Sequence, residues 1–104
     1  MAPDPAPNAA PGPPRESGEG SVRVRLWASA RAAAGTPELT LDLHGEVTVG
    51  RLRSLVAEAL PGRPGLPRVL GVCSVLLGEE PVHDDAAVVP PGVTVEFLPP
   101  FAGG

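Results

Sequence analysis

Few side chains in this 104-residue chain are of a type that performs catalysis. The single cysteine, Cys73, lies in an apolar stretch without a neighbouring histidine, which favours a buried, unreactive thiol over a nucleophile. His44 and His83 each stand alone beside an expected turn and lack the spacing of metal ligands, so we expect solvent-exposed histidines. The Asp84-Asp85 pair could be an acid-base couple, but capping of a short helical turn is the favoured interpretation. The body of the chain therefore contains no recognisable catalytic constellation.

The group left to react is the α-carboxylate of Gly104, at the end of the sequence. A carboxylate is a poor electrophile at neutral pH, but it becomes reactive when a partner enzyme uses ATP to join it to AMP. Sulfur can then attack the mixed anhydride to give a thiocarboxylate, and an amine can attack it to give an amide. The Gly103-Gly104 dipeptide is a weak signal by itself because the chain contains 13 glycines, so its meaning depends on the residues before it.

The segment before the terminal glycine has the composition of a tail that enters a partner's channel. The two prolines should end a strand and stiffen its exit, since neither can donate a ladder hydrogen bond. The small residues can pass through a narrow opening, and the leucine and phenylalanine have no evident core to join, which suits a partner's groove. The candidate partner-binding residues are Leu98, Pro99, Pro100, Phe101, Ala102 and Gly103.

Composition and charge exclude several classes of function. The net charge of −4 argues against nucleic-acid binding, and no apolar run approaches the roughly 18 residues that span a bilayer. The N-terminus lacks the pattern of a secretory signal, and one cysteine fits a reducing compartment, so we expect a cytoplasmic protein. All eight basic residues are arginine, so no side-chain amine of this chain can accept an isopeptide bond.

Residues 1–20 differ from the rest of the chain. Six prolines alternate there with small and polar residues, and leucine, isoleucine and phenylalanine are absent. Such a segment buries too little apolar surface to offset its ordering entropy, which predicts a disordered arm. Residues 21–104 are then one domain with a flexible tail at 99–104.

Hydrophobic periodicity predicts the first half of that domain. Apolar residues alternate with Arg23 and Arg25 from Val22 onward, which indicates a half-buried strand with a solvated outer face. Ser29 should cap a short helix closed by Gly35, before an antiparallel strand over 39–43. The main helix is expected over residues 49–60, with Thr48 as its N-cap. Arg51, Arg53 and Glu58 should lie on the face of this helix that is exposed to water.

The second half of the domain is predicted from turn residues and shorter runs. Three prolines between residues 61 and 67 predict an irregular crossover. An apolar run without alternation, 72–77, predicts a central strand covered on both faces. The remaining expected elements are a turn at Gly78-Glu79, a short strand ending near Val82, a helical turn over Ala86 and Ala87 after Asp84, a turn at 90–92 and a last strand over 93–97.

This order of elements predicts an α+β domain. A mixed sheet crossed by one main helix, with the last strand beside the first, is the ubiquitin-like β-grasp arrangement. Residues 22–104 also resemble the MoaD/ThiS family of sulfur carriers. The stretches that carry the likeness are 22–35, 73–78 and, most specifically, 95–104, which reads VEFLPPFAGG.

The resemblance implies a function. In that family a ubiquitin-activating-like adenylyltransferase uses ATP to adenylate the terminal glycine, matched here by Gly104, and a sulfurtransferase converts it to a thiocarboxylate. The tail then enters the large subunit of molybdopterin synthase and gives sulfur to cyclic pyranopterin monophosphate, for the molybdenum cofactor. The chain would be the small subunit of that synthase. It would not be catalytic alone, and it would bind no cofactor itself.

Other functions remain open at this stage. A carrier of the same family could serve another acceptor, as in thiazole or cysteine synthesis, but the short helix at 29–34 and the Pro-Pro-Phe tail favour molybdopterin. A ubiquitin-like protein modifier would differ in its acceptor and not in its activation. Because the chain has no lysine, copies of it cannot be linked to one another through side-chain amines, which slightly disfavours a protein modifier. A purely structural binding module is the remote alternative.

Overall fold

Five strands and three helices form the part of the chain that the computed structural model describes, residues 20–100. Of the predicted disordered arm, residues 1–19 lie outside this range, and Gly20 is the first residue of β1. Of the predicted flexible tail at 99–104, residues 101–104 lie outside it. In chain order the elements are β1 (Gly20–Leu26), α1 (Ala28–Ala34), β2 (Glu38–Leu43), α2 (Val49–Ala59), α3 (Leu66–Val72), β3 (Ser74–Leu77), β4 (Glu80–Val82) and β5 (Thr94–Leu98).

The strands form one mixed sheet in the order β2-β1-β5-β3-β4. β1 and β5 are parallel, with Leu26 opposite Phe97, and every other neighbouring pair is antiparallel. The last strand lies beside the first, as predicted, and the ubiquitin-like β-grasp fold is confirmed. Because β1 and β5 run in the same direction, the chain enters β1 at one end of the sheet and leaves β5 at the other.

Period-2 alternation separates the two faces of the sheet, as the sequence predicts. In β1 the side chains of Val22, Val24 and Leu26 are buried, whereas Arg23 and Arg25 are exposed. The buried side chains face the helices, and the arginines lie on the opposite surface, here called the outer face. In β5, Val95 and Phe97 are likewise fully buried. Phe97 is the largest of the fully buried side chains.

The main helix, α2, follows its predicted pattern. The hydroxyl oxygen of Thr48 accepts a hydrogen bond of 3.2 Å from the backbone N–H of Arg51, which is the expected N-cap. Val49, Leu52 and Val56 recur at helical spacing and are buried against the sheet. This periodic face holds the helix across the sheet.

The two short helices differ from their predictions. The N-cap of α1 is Trp27, without a side-chain cap, so the prediction of Ser29 at that position is wrong, whereas Gly35 closes the helix in the left-handed region at φ 78° as expected. The prediction of an irregular crossover is also wrong, because α3 begins at Leu66, before the last proline of that stretch. Pro67 lies in the first turn of α3, where no intrahelical partner for its missing N–H is needed. The side chains of Leu66 and Leu70, on the inner side of this helix, are buried.

The strand after the crossover is shorter and less central than predicted. β3 begins at Ser74 and lies between β5 and β4, so β5 occupies the centre of the sheet. Ser74 is exposed while Val75 is buried, which shows that β3 is covered on one face. Cys73 caps α3 and is not part of a strand.

The turn after β4 has the predicted side-chain cap without the predicted helix. A carboxylate oxygen of Asp84 accepts a hydrogen bond of 2.9 Å from the backbone N–H of Ala86, and its carbonyl accepts one of 2.9 Å from Ala87. The segment is a hydrogen-bonded turn. An aspartate two residues before the backbone N–H that donates to its carboxylate is typical of such a turn.

Candidate functional site at the root of the C-terminal tail

The tail begins where β5 ends. Leu98 is the last residue of that strand, and Pro99 and Pro100 follow it outside any helix or strand, as predicted for residues without a backbone donor. Leu98 and Pro99 are half-buried and Pro100 is exposed, so Leu98 is less open than the sequence suggested. The other predicted site residues, Phe101, Ala102, Gly103 and Gly104, lie outside the described range.

The root of the tail is held on both sides, because β5 is the central strand. On one side, Leu98 is opposite Ser74 of β3; on the other, Glu96 is opposite Arg25 of β1. Between them, Phe97 is completely buried in the core. The tail therefore starts from a point fixed by two neighbouring strands and an aromatic anchor.

Trp27 fastens this root to the end of β1. Its backbone N–H donates a hydrogen bond of 3.3 Å to the carbonyl of Phe97, and its indole Nε1 donates one of 2.9 Å to the Glu96 carboxylate. Its own carbonyl accepts bonds from the N–H groups of Ala30 and Arg31, which open α1. One residue thus joins the last strand to the first helix, directly beside the exit of the tail.

The backbone after Trp27 is strained. Ala28 has φ 50°, and it is the only non-glycine residue with a positive φ between residues 20 and 100. A left-handed conformation at an alanine costs roughly 1–2 kcal/mol. It lets the chain pass from β1 into α1 within one residue, so the strain lies at the same junction that holds the tail root.

Charged side chains surround Trp27 on the outer face. The guanidinium of Arg25 lies over the indole ring, 4.9 Å from its centroid, and Arg25 and Arg23 both approach Glu38 at 4.0 and 3.9 Å. The arginine side chains are 46% and 61% exposed, which agrees with the predicted solvated surface. Each such pair contributes little stability, about 0–1 kcal/mol, so this cluster is available to a partner at low cost.

Exposed apolar side chains lie on either side of the root. Trp27 is 39% exposed, and Val72, at the end of α3, is 58% exposed. Val72 lies two residues before Ser74, and Ser74 is opposite Leu98 in the sheet. We call Trp27, Val72, Leu98 and Pro99 the root surface.

Arg53 is the important residue that sequence reasoning missed, because it was expected to face water. Its side chain is 18% exposed; its Nε and Nη2 donate to the two carboxylate oxygens of Asp85 at 3.2 and 3.1 Å. Its Nη1 donates to the carbonyl of Leu70 and, at 3.1 Å, to that of Cys73. The guanidinium also lies 5.9 Å from the ring centroid of Phe97. Arg53 therefore ties α2 to the end of α3, the turn after β4 and the strand that carries the tail.

A sequence signal for Arg53 does exist. It follows the buried Leu52 and lies one turn after the buried Val49, at the margin of the apolar face of α2. A long arginine at such a margin can lay its stem along the core and reach past it. Arg51, further round the helix, is 55% exposed and pairs with Glu58 at 3.2 Å, as expected for residues that face water.

The remaining candidates agree with their non-catalytic interpretation. Cys73 is buried, and its thiol donates to the carbonyl of Val69 at 3.2 Å. Burial raises the pKa of this thiol, against a smaller opposing effect of Arg53, so little thiolate forms at neutral pH. His44 and His83 are exposed. Within residues 20–100 no group of three His, Cys, Asp or Glu side chains could hold a metal ion.

No helix in the described part of the chain is long and apolar enough to cross a bilayer.

Comparison with known proteins adds to this geometry. The family model of the ThiS family matches residues 24–104, which includes the tail and its root. No curated protein sequence matches the chain.

Among solved structures, SAMP1 from Haloferax volcanii shares 26% sequence identity, over 82% of this chain and 100% of its own, with a TM-score of 0.68. A putative molybdopterin converting factor, subunit 1, from Pyrococcus furiosus is 17% identical over 78% of this chain and 98% of its own, with a TM-score of 0.66. A complex of subunits 1 and 2 of molybdopterin-converting factor from Helicobacter pylori contains a chain that is 23% identical, over 81% of this chain and 99% of its own, with a TM-score of 0.55. The similarity to the Pyrococcus and Helicobacter chains, at 17% and 23% identity, shows a shared fold alone.

Proposed function

The chain belongs to the ThiS family, and on that premise we propose that it is the small, sulfur-donating subunit of molybdopterin synthase. The match over residues 24–104 confirms the resemblance drawn from the first strand, the segment at 73–78 and the tail. The family and the fold assign this chain to the class of MoaD/ThiS-like sulfur carriers and ubiquitin-like modifiers. The acceptor, and the sulfur chemistry at Gly104, are the proposed part.

The reacting group is the carboxylate of Gly104. An adenylyltransferase joins it to the α-phosphate of ATP and releases pyrophosphate. Sulfur at the oxidation level of sulfide, supplied by a sulfurtransferase with a thiol reductant, then forms a C–S bond as AMP leaves. The resulting thiocarboxylate donates its sulfur to cyclic pyranopterin monophosphate, and water restores the carboxylate. The chain itself contributes no catalytic side chain to these steps, and ATP is used by the activating enzyme.

The observation that carries the proposal is the attachment of the tail to the centre of the sheet. Leu98 ends β5, the strand that lies between β1 and β3 in the sheet, and the two prolines after it restrict the backbone at the exit. A partner that binds the root surface therefore meets the following six residues at a defined starting point. Such an arrangement suits a carrier that presents one terminus to several enzymes in turn.

The large subunit of the synthase is the proposed final partner. The fold is shared with subunit 1 of the molybdopterin-converting factors named above, and in Helicobacter pylori that chain is in complex with subunit 2. For this chain we propose the equivalent pairing through the root surface and the tail. Trp27 and Val72 supply exposed apolar area there, which is the composition that interfaces favour at their centre.

A protein modifier is the second candidate, and one observation favours it. The likeness to SAMP1, a small archaeal modifier protein, is at 26% identity and covers all of that chain. Activation of Gly104 would be the same, but the acceptor would be an amine of another protein in place of a sulfur source. The two candidates differ only after the adenylate forms.

Intact-mass analysis of the chain isolated from its own cells separates them. We expect a fraction in which one oxygen of the Gly104 carboxylate is replaced by sulfur. Covalent adducts with other proteins, without that exchange, would favour the modifier. The thiocarboxylate form should then convert cyclic pyranopterin monophosphate to a dithiolene product when mixed with the large subunit. Absence of product with a fully loaded chain would redirect the assignment to a thiazole or cysteine pathway.

A further inference from the structure

The two edges of the sheet differ in how open they are. β4, at one edge, is three residues long and contains Pro81, and short strands and prolines are common protections of a sheet edge. β2, at the other edge, is six residues long and contains neither proline nor glycine. A strand of this length with unpaired backbone groups is a template on which a further strand can form.

The register of β1 and β2 shows which backbone groups of β2 face away from the sheet. The N–H of Leu26 donates to the carbonyl of Pro37 at 2.8 Å, so these two residues form a hydrogen-bonded pair. Such pairs recur at every second residue of an antiparallel ladder, and the bonds to β1 therefore come from the odd-numbered residues of β2. The residues of β2 whose backbone groups face outward are Glu38, Thr40 and Asp42.

A hydrogen bond outside the ladder agrees with this direction. The hydroxyl of Thr36 donates to the carbonyl of Glu38 at 3.0 Å, as expected for a carbonyl that faces away from β1. Between residues 20 and 100, no residue bonds to the N–H groups of Glu38, Thr40 and Asp42 or to the carbonyls of Thr40 and Asp42. We call these backbone groups the β2 edge.

The side chains of β2 add an apolar side and an acidic side to this edge. Leu39 and Leu41 point to the core side of the sheet but are only partly buried. On the outer face, Asp42 is exposed and lies opposite Ser21. Glu38 is approached by two arginines of β1, whereas no side chain within residues 20–100 pairs with the Asp42 carboxylate. A strand added here would cover the leucines with alternate residues and meet the negative charge with the others.

A second copy of this chain does not suit the β2 edge. Two β2 strands can bond only through their outward-facing residues, and the antiparallel register with full overlap places Thr40 opposite Thr40. That register also places Glu38 opposite Asp42 at both ends, and like charges directly opposite each other are destabilising. Each copy has a net charge of −4, which adds to the repulsion. The charges therefore favour a different chain that carries a basic residue.

We propose that the β2 edge binds an extended segment of a partner protein as a further, antiparallel strand of the sheet. In this segment branched aliphatic residues alternate with polar residues, and a basic residue lies opposite Asp42. The polar residues form the hydrogen bonds, because directly opposite residues of an antiparallel pair share one face. The aliphatic residues pack on Leu39 and Leu41. β1 separates this edge from β5, so the segment does not compete for the strand that carries the tail.

The probe is a synthetic peptide of about nine residues, which is within the usual length of a strand. Valine and isoleucine alternate in it with threonine, and arginine replaces the threonine at the position that pairs with Asp42. It is titrated into the isotope-labelled full chain, and amide chemical shifts give both the affinity and the binding site. We expect a Kd below about 1 mM, with the largest shifts at the amides of Glu38, Thr40 and Asp42.

N-methylation provides two matched control peptides. Methyl groups at the polar positions remove the donors that face β2, and we expect them to weaken binding at least about tenfold. Methyl groups at the aliphatic positions replace N–H groups that face away from β2, and the affinity should then stay within about threefold of that of the unmodified peptide. The two peptides have the same composition, so apolar area alone does not distinguish them.

Variants of the chain test the same contacts from the other side. Thr40→Pro removes an outward N–H without removing a bond to β1, and it should weaken binding about tenfold, whereas Thr40→Val keeps the N–H and should not weaken it. Asp42→Arg should reverse the charge preference, so that a peptide with glutamate in place of arginine binds it more tightly than it binds the wild type. Thermal unfolding verifies the fold, and the charge reversal needs no proline if Thr40→Pro does not fold.

Several results would overturn the proposal. They are absence of binding at about 1 mM peptide, equal affinity of the two methylated peptides, and shifts confined to residues outside β2. An unchanged charge preference in Asp42→Arg would overturn the pairing with a basic residue. A dimer of the free chain that forms through β2 would show that a second copy is the occupant, and it would overturn the proposal as well.

Discussion

The indole nitrogen of Trp27 donates a hydrogen bond of 2.9 Å to the Glu96 carboxylate, across a separation of 69 residues in the sequence. This bond joins the end of the first strand to the last strand, two residues before β5 ends at Leu98. Together with the backbone bond from Trp27 to Phe97, it fixes the exit of the tail relative to α1. A partner that binds the exposed indole is thereby aligned with the tail.

Removing the indole N–H should loosen the root without unfolding the domain. We expect Trp27→Phe to lower the free energy of unfolding by about 1–2 kcal/mol, because a hydrogen bond to a charged acceptor is lost on a partly exposed surface. Urea denaturation measures the change. Glu96→Gln, which keeps an acceptor oxygen, should cost less. A double-mutant cycle in which the two changes are additive would show that the bond contributes nothing.

Arg53 should be far more costly to replace than Arg51, although both lie on α2. Arg53→Met leaves the Asp85 carboxylate without its guanidinium and removes the side-chain donor from the carbonyls of Leu70 and Cys73, although the backbone N–H of Cys73 still donates to Leu70. We expect a loss of about 2–4 kcal/mol in the free energy of unfolding. Arg51→Met removes only an exposed pair with Glu58 and should change it by less than about 1 kcal/mol. Equal effects in calorimetry would contradict the central role of Arg53.

The strain at Ala28 predicts a stabilising substitution. Glycine adopts a positive φ without the clash of a Cβ, so Ala28→Gly should raise the free energy of unfolding by up to about 1 kcal/mol. Ala32, in the same helix and exposed, has a negative φ, and Ala32→Gly should lower it by about 1 kcal/mol. Opposite signs in thermal unfolding are the expected result. A loss of stability in both variants would mean that the strain at position 28 is not relieved by glycine.

Alternation and helical periodicity were enough to predict β1, β2 and α2, whereas the placement of β5 beside β1 was inferred from the order of elements as a β-grasp pattern. These elements depend on local patterns that burial then satisfies. The prediction failed for α3 because prolines were read as helix breakers, whereas Pro67 lies in a first turn that tolerates it. It also missed the contacts of Arg53 and the bond between Trp27 and Glu96. Both join segments far apart in sequence, and only the completed sheet brings them together.

Cys73 predicts a specific loss of stability in alkaline solution. Its pKa is raised from the ordinary value of 9.0, so the native state holds the thiol proton more tightly than the unfolded state does. The stabilisation is fully present below the unfolded pKa and is lost as pH rises through and above it. The chain has no lysine or tyrosine side chains to titrate in the same range.

The measurement is urea unfolding between about pH 7.5 and about pH 10.5, which brackets the ordinary thiol pKa. Wild type should lose stability as the pH rises, and Cys73→Ala should show a flatter profile from a lower starting value, since the buried side chain is truncated. Both should be loaded with sulfur at equal rates if the thiol has no part in the transfer. A folded Cys73→Ala chain that cannot be loaded would assign the thiol a chemical role.

The length of the tail should be as important as its sequence. If the α-carboxylate of Gly104 is the group that is adenylated, deletion of Gly104 withdraws the carboxylate by one residue, about 3.5 Å, from the point that β5 and the root surface define. Addition of one alanine after Gly104 moves it by the same distance the other way and adds a methyl group to a tail end that we expect to enter a narrow channel of the partner. We expect both changes to abolish adenylation and sulfur loading, since a misplacement of about 1 Å already lowers a reaction rate about 10²-fold.

Neither change should alter thermal unfolding, because the core ends at Phe97. ATP–pyrophosphate exchange with the activating enzyme tests the first step and intact mass tests the second. Normal loading of either variant would remove Gly104 from the mechanism.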